Sequence, residues 1–288
     1  MPEATGSVSP LTRQPFGAQT RAAADIGGLV SNTAEFRWTS AARTDTGLVR
    51  AVNEDACLEM PEHGLWAVAD GMGGHAVGDV ASQMVIDRLE RSPAPGKPVP
   101  LDERMQEARE RLLAVNADLR SEAARRQVRR IGSTVVLLLA SERSCGYLWA
   151  GDSRLYLCRQ GCLRQLTRDH SQVEELKARG QISPEEALHH PGKHLITRAV
   201  GAMDTLELDA DRIDLHDGDI FLLCSDGLSN EVSDEEMGGV LASGDCGQAV
   251  AQLVELALQR GGRDNISVVA AQAEDIFCLD KTQINPTL

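Results

Sequence analysis

The sequence predicts an α+β protein in which helices are laid over β-sheet. Short, nearly continuous apolar runs bounded by glycine or turn residues recur at 65–68, 135–140, 145–150, 220–224 and 266–270. Runs of that length and composition read as buried strands. The two longest amphipathic stretches, 76–90 and 101–119, follow one another directly rather than alternating with strands. Two helices in succession suit a layer covering a sheet.

Composition narrows the class further. With 288 residues and 42% apolar content the chain can fill one large core, built from Val, Leu, Ile and Ala because aromatics make up only 3%. A net charge of -14 and a pI near 4.9 argue against nucleic acid as a partner. They suit an acidic site that bound metal ions would partly neutralise. No apolar run approaches the roughly 18 residues that a membrane span needs, and the N-terminus lacks the basic-then-apolar plan of a signal peptide. No direct membrane insertion is expected. Seven cysteines, an odd number without C-x-x-C spacing, suit a reducing compartment, so the expected location is cytoplasmic. Cys158 and Cys162 flank a turn at Gln160-Gly161 and read as packing thiols.

In order, residues 1–37 have no sustained apolar period and read as a mobile tail, 38–274 as the folded domain and 275–288 as a second tail. Phe36 to Ala41 alternates as an edge strand does, and 46–55 is a loop dense in charge and small residues. A strand at 56–60 and a turn at 61–64 lead into the run at 65–68, which ends on Asp70-Gly71-Met72-Gly73-Gly74. In 76–90, Val77, Val80, Ala81, Met84, Val85 and Leu89 share one helical face. A proline-rich connector follows. Leu101, Met105, Ala108, Leu112, Val115 and Leu119 then form the clearest amphipathic face in the chain.

Strands at 135–140 and 145–150 and a hairpin at 155–166 come next. Residues 169–200 break the β pattern with short polar helices, one opened by the capping box Ser183-Pro184-Glu185-Glu186. This describes a surface flap. Its His189, His190 and His194 do not have the spacing of a closed zinc site. Ser233 and Asp245 are set to cap the last two helices, the second of which stops at Gly261-Gly262.

The carboxylates carry the chemistry. Asp70, Asp152 and Asp226 each stand at the end of an apolar strand, Asp264 at the start of one, and Glu54-Asp55 just ahead of another. Acids gathered without basic partners repel, and a cation removes that penalty. An all-oxygen donor set favours magnesium or manganese over zinc. Two such ions can lower the pKa of a shared water for attack on an electrophile. Arg50, four residues before Glu54, supplies a guanidinium fork for phosphate. The implied reaction is hydrolysis of a phosphate ester without a covalent enzyme intermediate.

These residues lie within "GLVRAVNEDA", "VADGMGGHAVGDVAS", "GSTVV", "AGDSRLYL", "LTRDHS", "LITRAVG", "LLCSDGLSNEVSDEE" and "GGRDNISVV". In this order and spacing, over about 38–273, the chain resembles the bacterial type of the metal-dependent serine/threonine protein phosphatases, protein phosphatase 2C. The resemblance implies a four-layer αββα sandwich of two antiparallel sheets flanked by helix pairs, with a metal site at one end. It implies two Mn2+ or Mg2+ ions: Asp70 bridging them, the Gly71 carbonyl on one, Asp226 and Asp264 completing the other, and Glu54 orienting water. Asp152 would hold a third ion, Arg50 the substrate phosphate, while Asp55 and Asn265 support the ligands. Implied partners are phosphoserine and phosphothreonine proteins, targets of a cognate serine/threonine kinase. Met72 stands where many eukaryotic members place a histidine general acid, and the role is not moved to His75, leaving water to protonate the leaving oxygen. A hydrolase of small phosphate esters and a catalytically inactive binding module are the rival readings. Phosphopeptide hydrolysis separates the first, and the full set of acids argues against the second.

Overall fold

The apolar runs become strands of two antiparallel sheets in the computed structural model, which describes residues 36–73, 77–91, 99–242 and 245–277. The chain begins with β1 (Phe36–Asp45), β2 (Asp55–Met60) and β3 (Leu65–Gly73), and continues with the helix pair α1 (Gly78–Glu90) and α2 (Leu101–Arg126). Next come β4 (Ile131–Ser133), β5 (Val135–Ser141), β6 (Ser144–Ala150), β7 (Arg154–Arg159) and β8 (Cys162–Gln165). The flap carries α3 (Gln172–Ala178) and α4 (Pro184–Leu188). The last part holds β9 (Asp209–Asp214), β10 (Asp219–Cys224), α5 (Asp226–Ser229), α6 (Asp234–Leu241), α7 (Cys246–Gln259) and β11 (Ile266–Asp275). One sheet has the order β1-β11-β10-β7-β8 and the other β2-β3-β5-β6-β9, with β4 paired to the end of β3.

Alternation along each strand sorts side chains into three cores. Leu65, Ala67 and Ala69 of β3 pack with Ala81, Val85 and Leu89 of α1 and Leu112, Val115 and Leu119 of α2. Their neighbours Trp66 and Val68 face the other way, meeting Phe221, Leu223, Val269 and Ala271 between the sheets. On the far side, Ile220, Leu222, Val268 and Ala270 pack against Met237 and Leu241 of α6 and Leu253 and Val254 of α7. The order is therefore helix pair, sheet, sheet, helix pair. Central strands buried on both faces read as unbroken apolar runs, and each fully buried Leu or Val contributes about 1.5–3 kcal/mol.

The expected caps are present. Ser183 and Ser233 each close a capping box with Glu186 and Glu236, and Asp245 accepts from Gln248 N at 2.7 Å. The first strand occupies the edge of its sheet, as its loose alternation predicts. It begins at Phe36 and β11 ends at Asp275, just outside the expected limits of 38 and 274. β10 stops at Cys224, so Asp226 opens α5 rather than ending the strand. α2 runs to Arg126, past the expected 119, because its last two turns are polar and carry no apolar stripe. β9, Asp-Ala-Asp-Arg-Ile-Asp, is an edge strand with mostly exposed side chains and escapes a search for apolar runs. Among the described residues no helix is long and apolar enough to cross a membrane.

Candidate metal centre

Antiparallel pairing brings the ends of β3, β6 and β10 and the starts of β2 and β11 to one end of the sandwich. There a cleft of about 580 Å³ is lined by Arg50, Glu54, Asp70, Gly71, Asp152, Asp226, Asp264 and Asn265. Of the candidate ligand, phosphate-binding and supporting residues, only Asp55 is absent from this lining. It is buried beneath, opposite Asp70 in the β2–β3 register, and its Oδ2 accepts from Ser225 Oγ at 2.7 Å.

Close backbone approaches hold the acids in place. Gly71 N donates to Glu54 O at 3.0 Å, and Gly78 N to Glu54 Oε1 at 3.0 Å. A Cβ on Gly71 would lie 2.0 Å from Gly78 O and 2.5 Å from Glu54 O, so only glycine fits between them. Gly227, after Asp226, is pressed onto the 264–265 segment: a Cβ there would sit 1.9 Å from Asn265 O. Gly227→Ala is expected to destabilise the protein by about 1–3 kcal/mol and weaken divalent-ion binding, as read by denaturant titration with and without Mn2+. Asn265 is the hub of the neighbouring loop. Its Oδ1 accepts from Glu54 N at 2.8 Å, and its Nδ2 donates to Thr46 O at 2.9 Å and Val52 O at 3.0 Å.

Several supports have no obvious mark in the sequence. Thr134 Oγ1 accepts from Asp70 N at 3.0 Å and pairs with Ser153 Oγ at 2.7 Å, tying the Asp70 and Asp152 segments together. Buried His170 stacks on Trp149 with ring centres 5.9 Å apart and accepts from Gly151 N through Nδ1 at 3.2 Å. That leaves its proton on Nε2, 3.1 Å from Asp209 Oδ2, which Arg198 also holds. The β6–β7 loop bearing Asp152 is thus tied to the base of the flap. From the flap itself Lys193, His194 and Ile196 line the cleft, as does Met72. His75 lies outside the described residues.

Electrostatics mark these acids as strained by one another. Burial, then the charges of Asp55, Asp226, Asp152 and Asp264, holds the Asp70 carboxyl well above its usual range. Burial and Asp226 push Asp152 up to about 7. Asp55 rises to about 7, mainly by burial and against the lowering effect of its Ser225 hydrogen bond. Asp226 is raised by burial and by Asp264. Arg50 answers only part of this charge, with Nη2 2.7 Å from Asp264 Oδ2. Such a cluster of hard oxygen donors fits Mg2+ or Mn2+. The acids nevertheless do not form a closed shell: among the described residues no three His, Cys, Asp or Glu side chains are placed to hold an ion. Glu54 Oε1 accepts from Gly78 N, and Asp264 Oδ2 from Arg50 Nη2.

The sequence and fold are similar to those of known proteins. The protein phosphatase 2C family model matches residues 49–267. The serine/threonine protein phosphatase PstP of Mycobacterium tuberculosis is 39% identical over 252 residues, which cover 86% of this chain and 47% of PstP. The chain thus spans about half the length of that relative. The structure of PppA, a regulatory component of T6SS in Pseudomonas aeruginosa, superposes with a TM-score of 0.76 at 45% identity, covering 82% of this chain and 97% of that one. The catalytic domain of PstP in complex with two manganese ions gives 0.72 at 38%, covering 83% and 100%. With the family match covering most of the chain and the acid-lined cleft inside it, the chain belongs to the protein phosphatase 2C family.

Proposed function

We propose that this protein is a Mn2+- or Mg2+-dependent phosphatase of phosphoserine and phosphothreonine in proteins. The observation that carries the reading is the convergence of Glu54, Asp70, Asp152, Asp226 and Asp264 on one cleft beside Arg50. Asp70, the Gly71 carbonyl, Glu54, Asp226 and Asp264 would hold two ions, and Asp152 a third. Ions bound there supply Lewis acidity and a water of lowered pKa for in-line attack on phosphorus. Arg50 turns from Asp264 to grip the phosphate oxygens and offset their growing charge. Asn265 and Asp55 hold the ligand-bearing segments in register. Met72 carries no proton to give, so the leaving oxygen takes its proton from water.

The protein-directed reading draws support from the name of PstP. Its substrates would be the targets of a cognate serine/threonine kinase. The discriminating experiment compares Mn2+-dependent phosphate release from phosphoserine peptides with release from small metabolite esters. Higher kcat/KM on peptides supports the proposal, and activity on metabolites alone overturns it. Arg50→Ala is expected to lower kcat/KM on the peptide roughly 100-fold, with Arg50→Lys recovering only part of the loss because the bidentate fork is gone. Steady-state kinetics on one phosphopeptide check both variants.

A further inference from the structure

We infer that His170 is a positioning residue for the ion assigned to Asp152: through Nδ1 it aims the loop that presents that carboxylate. This rests on the phosphatase reading above and on its placing of an ion at Asp152.

Asp152 lines the cleft without an ion pair of its own among the described residues. Arg154, two residues on, is committed to Asp169, with Nη2 2.7 Å from Oδ2. The aim of the Asp152 carboxylate is therefore set by the chain on either side of it. On one side Ser153 Oγ pairs with Thr134 Oγ1 at 2.7 Å. On the other, Gly151 meets His170 twice. Gly151 N donates to Nδ1 at 3.2 Å, and His170 N donates to Gly151 O at 2.8 Å. Gly151 has φ +114°, and a Cβ on it would lie 2.6 Å from Thr134 Cγ2, so this turn is packed as well as bonded.

His170 is held in its turn. Its ring lies 7° from parallel with that of Trp149, whose Nε1 donates to Arg168 O at 2.8 Å. Nε2 is 3.1 Å from Asp209 Oδ2, and Asp209 Oδ1 accepts from Arg198 Nη1 at 2.7 Å. His170 O accepts from Thr197 N at 2.8 Å, and Ser171 pairs with Ile196 across the base of the flap. The acceptor offered to Gly151 is thus fixed by stacking, by an anchored carboxylate and by the two legs of the flap.

Groups that orient a ligand without touching the metal commonly set its affinity by about 10–100-fold. The tie from Thr134 also accepts from Asp70 N, so its loss would disturb both carboxylates. The tie from His170 ends on the Asp152 loop. Its loss should weaken the ion at Asp152 and spare those at Asp70.

The test separates the two ring nitrogens. Asparagine places an amide oxygen where Nδ1 stands, and glutamine an amide nitrogen where Nε2 stands. His170→Asn therefore keeps the acceptor for Gly151, and His170→Gln keeps only the donor to Asp209. The full chain, stripped of metal, is titrated with Mn2+ by calorimetry, with Asp152→Asn as the reference that lacks one class of sites. His170→Gln should weaken that class roughly tenfold, leave the others unchanged and regain its kcat on a phosphoserine peptide in excess Mn2+. His170→Asn should stay within about twofold of wild type. A residue needed only for folding would lower the melting temperature and every Mn2+ affinity alike, with no rescue by metal. Equal affinity of the two His170 variants at that class overturns the inference. Imidazole 15N spectra of wild type at about pH 8 need no variant. A proton on Nε2 alone is expected, and a proton on Nδ1 overturns the inference. If Asp152→Asn leaves the isotherm unchanged, Asp152 holds no ion and the inference falls with that assignment. Wild type that hydrolyses no phosphopeptide instead overturns the phosphatase reading itself.

Discussion

Replacing Asp70 by asparagine is expected to abolish phosphopeptide hydrolysis, a loss of roughly 1,000-fold or more, while making the metal-free protein more stable. The first effect follows because ion-mediated stabilisation of the transition state is worth several kcal/mol, and Asp70 is the carboxylate proposed to hold both ions. The second follows from the electrostatics. Asp70 is held well above the usual carboxyl range by burial and by four neighbouring aspartates, so its charge opposes folding unless a cation answers it. An amide of the same shape removes that charge and its repulsion. Melting curves at about pH 8, with and without Mn2+, should show the variant above wild type when chelated and below it when loaded. A purely structural role for Asp70 would lower the melting temperature in both conditions.

Stability without divalent ions is expected to fall as pH rises from about 4 to above 7, and Mn2+ should reverse the fall. Asp55 and Asp152 are pushed to about 7 in the folded protein, against about 3.9 in an unfolded chain. The folded state then holds protons that the unfolded state has released. The stability these groups contribute is fully present below about pH 4 and is lost as pH passes through about 7. Asp70 and Asp226 act in the same direction. Divalent ions take the place of those protons, so the Mn2+-induced gain in melting temperature should be greater at about pH 8 than at about pH 5. A metal-free melting temperature that climbs across that interval would contradict the electrostatic account of the cluster.

The parts of this protein legible in its sequence are those written in local hydropathy. Asp70, Asp152 and Asp226 stand out because each follows a run that must be buried, and Asp264 because it precedes one. Glycines sharpened the picture at Gly71 and Gly227, where backbone comes too close for any side chain. Long-range ties left no such trace. The bond from Thr134 to Asp70 spans 64 positions, and that from Asn265 to Glu54 spans 211. His170 read only as the opening of a flap, yet it holds the Asp152 loop and reaches Asp209 on a charged edge strand that carries no apolar signal. The flap histidines His189, His190 and His194 lack the spacing of a closed zinc site. In the fold it is His194, with Lys193, that lines the cleft. Such pairings depend on which loops meet, and hydropathy along the chain does not record that.

The measurement that tests the central claim most directly is phosphate release from a phosphoserine peptide by metal-stripped protein as Mn2+ is added back. No release is expected after exhaustive chelation, and full recovery as the ions are restored, with Asp226→Asn and Asp264→Asn silent throughout although folded. Undiminished turnover by the chelated protein, or by either variant, would contradict it.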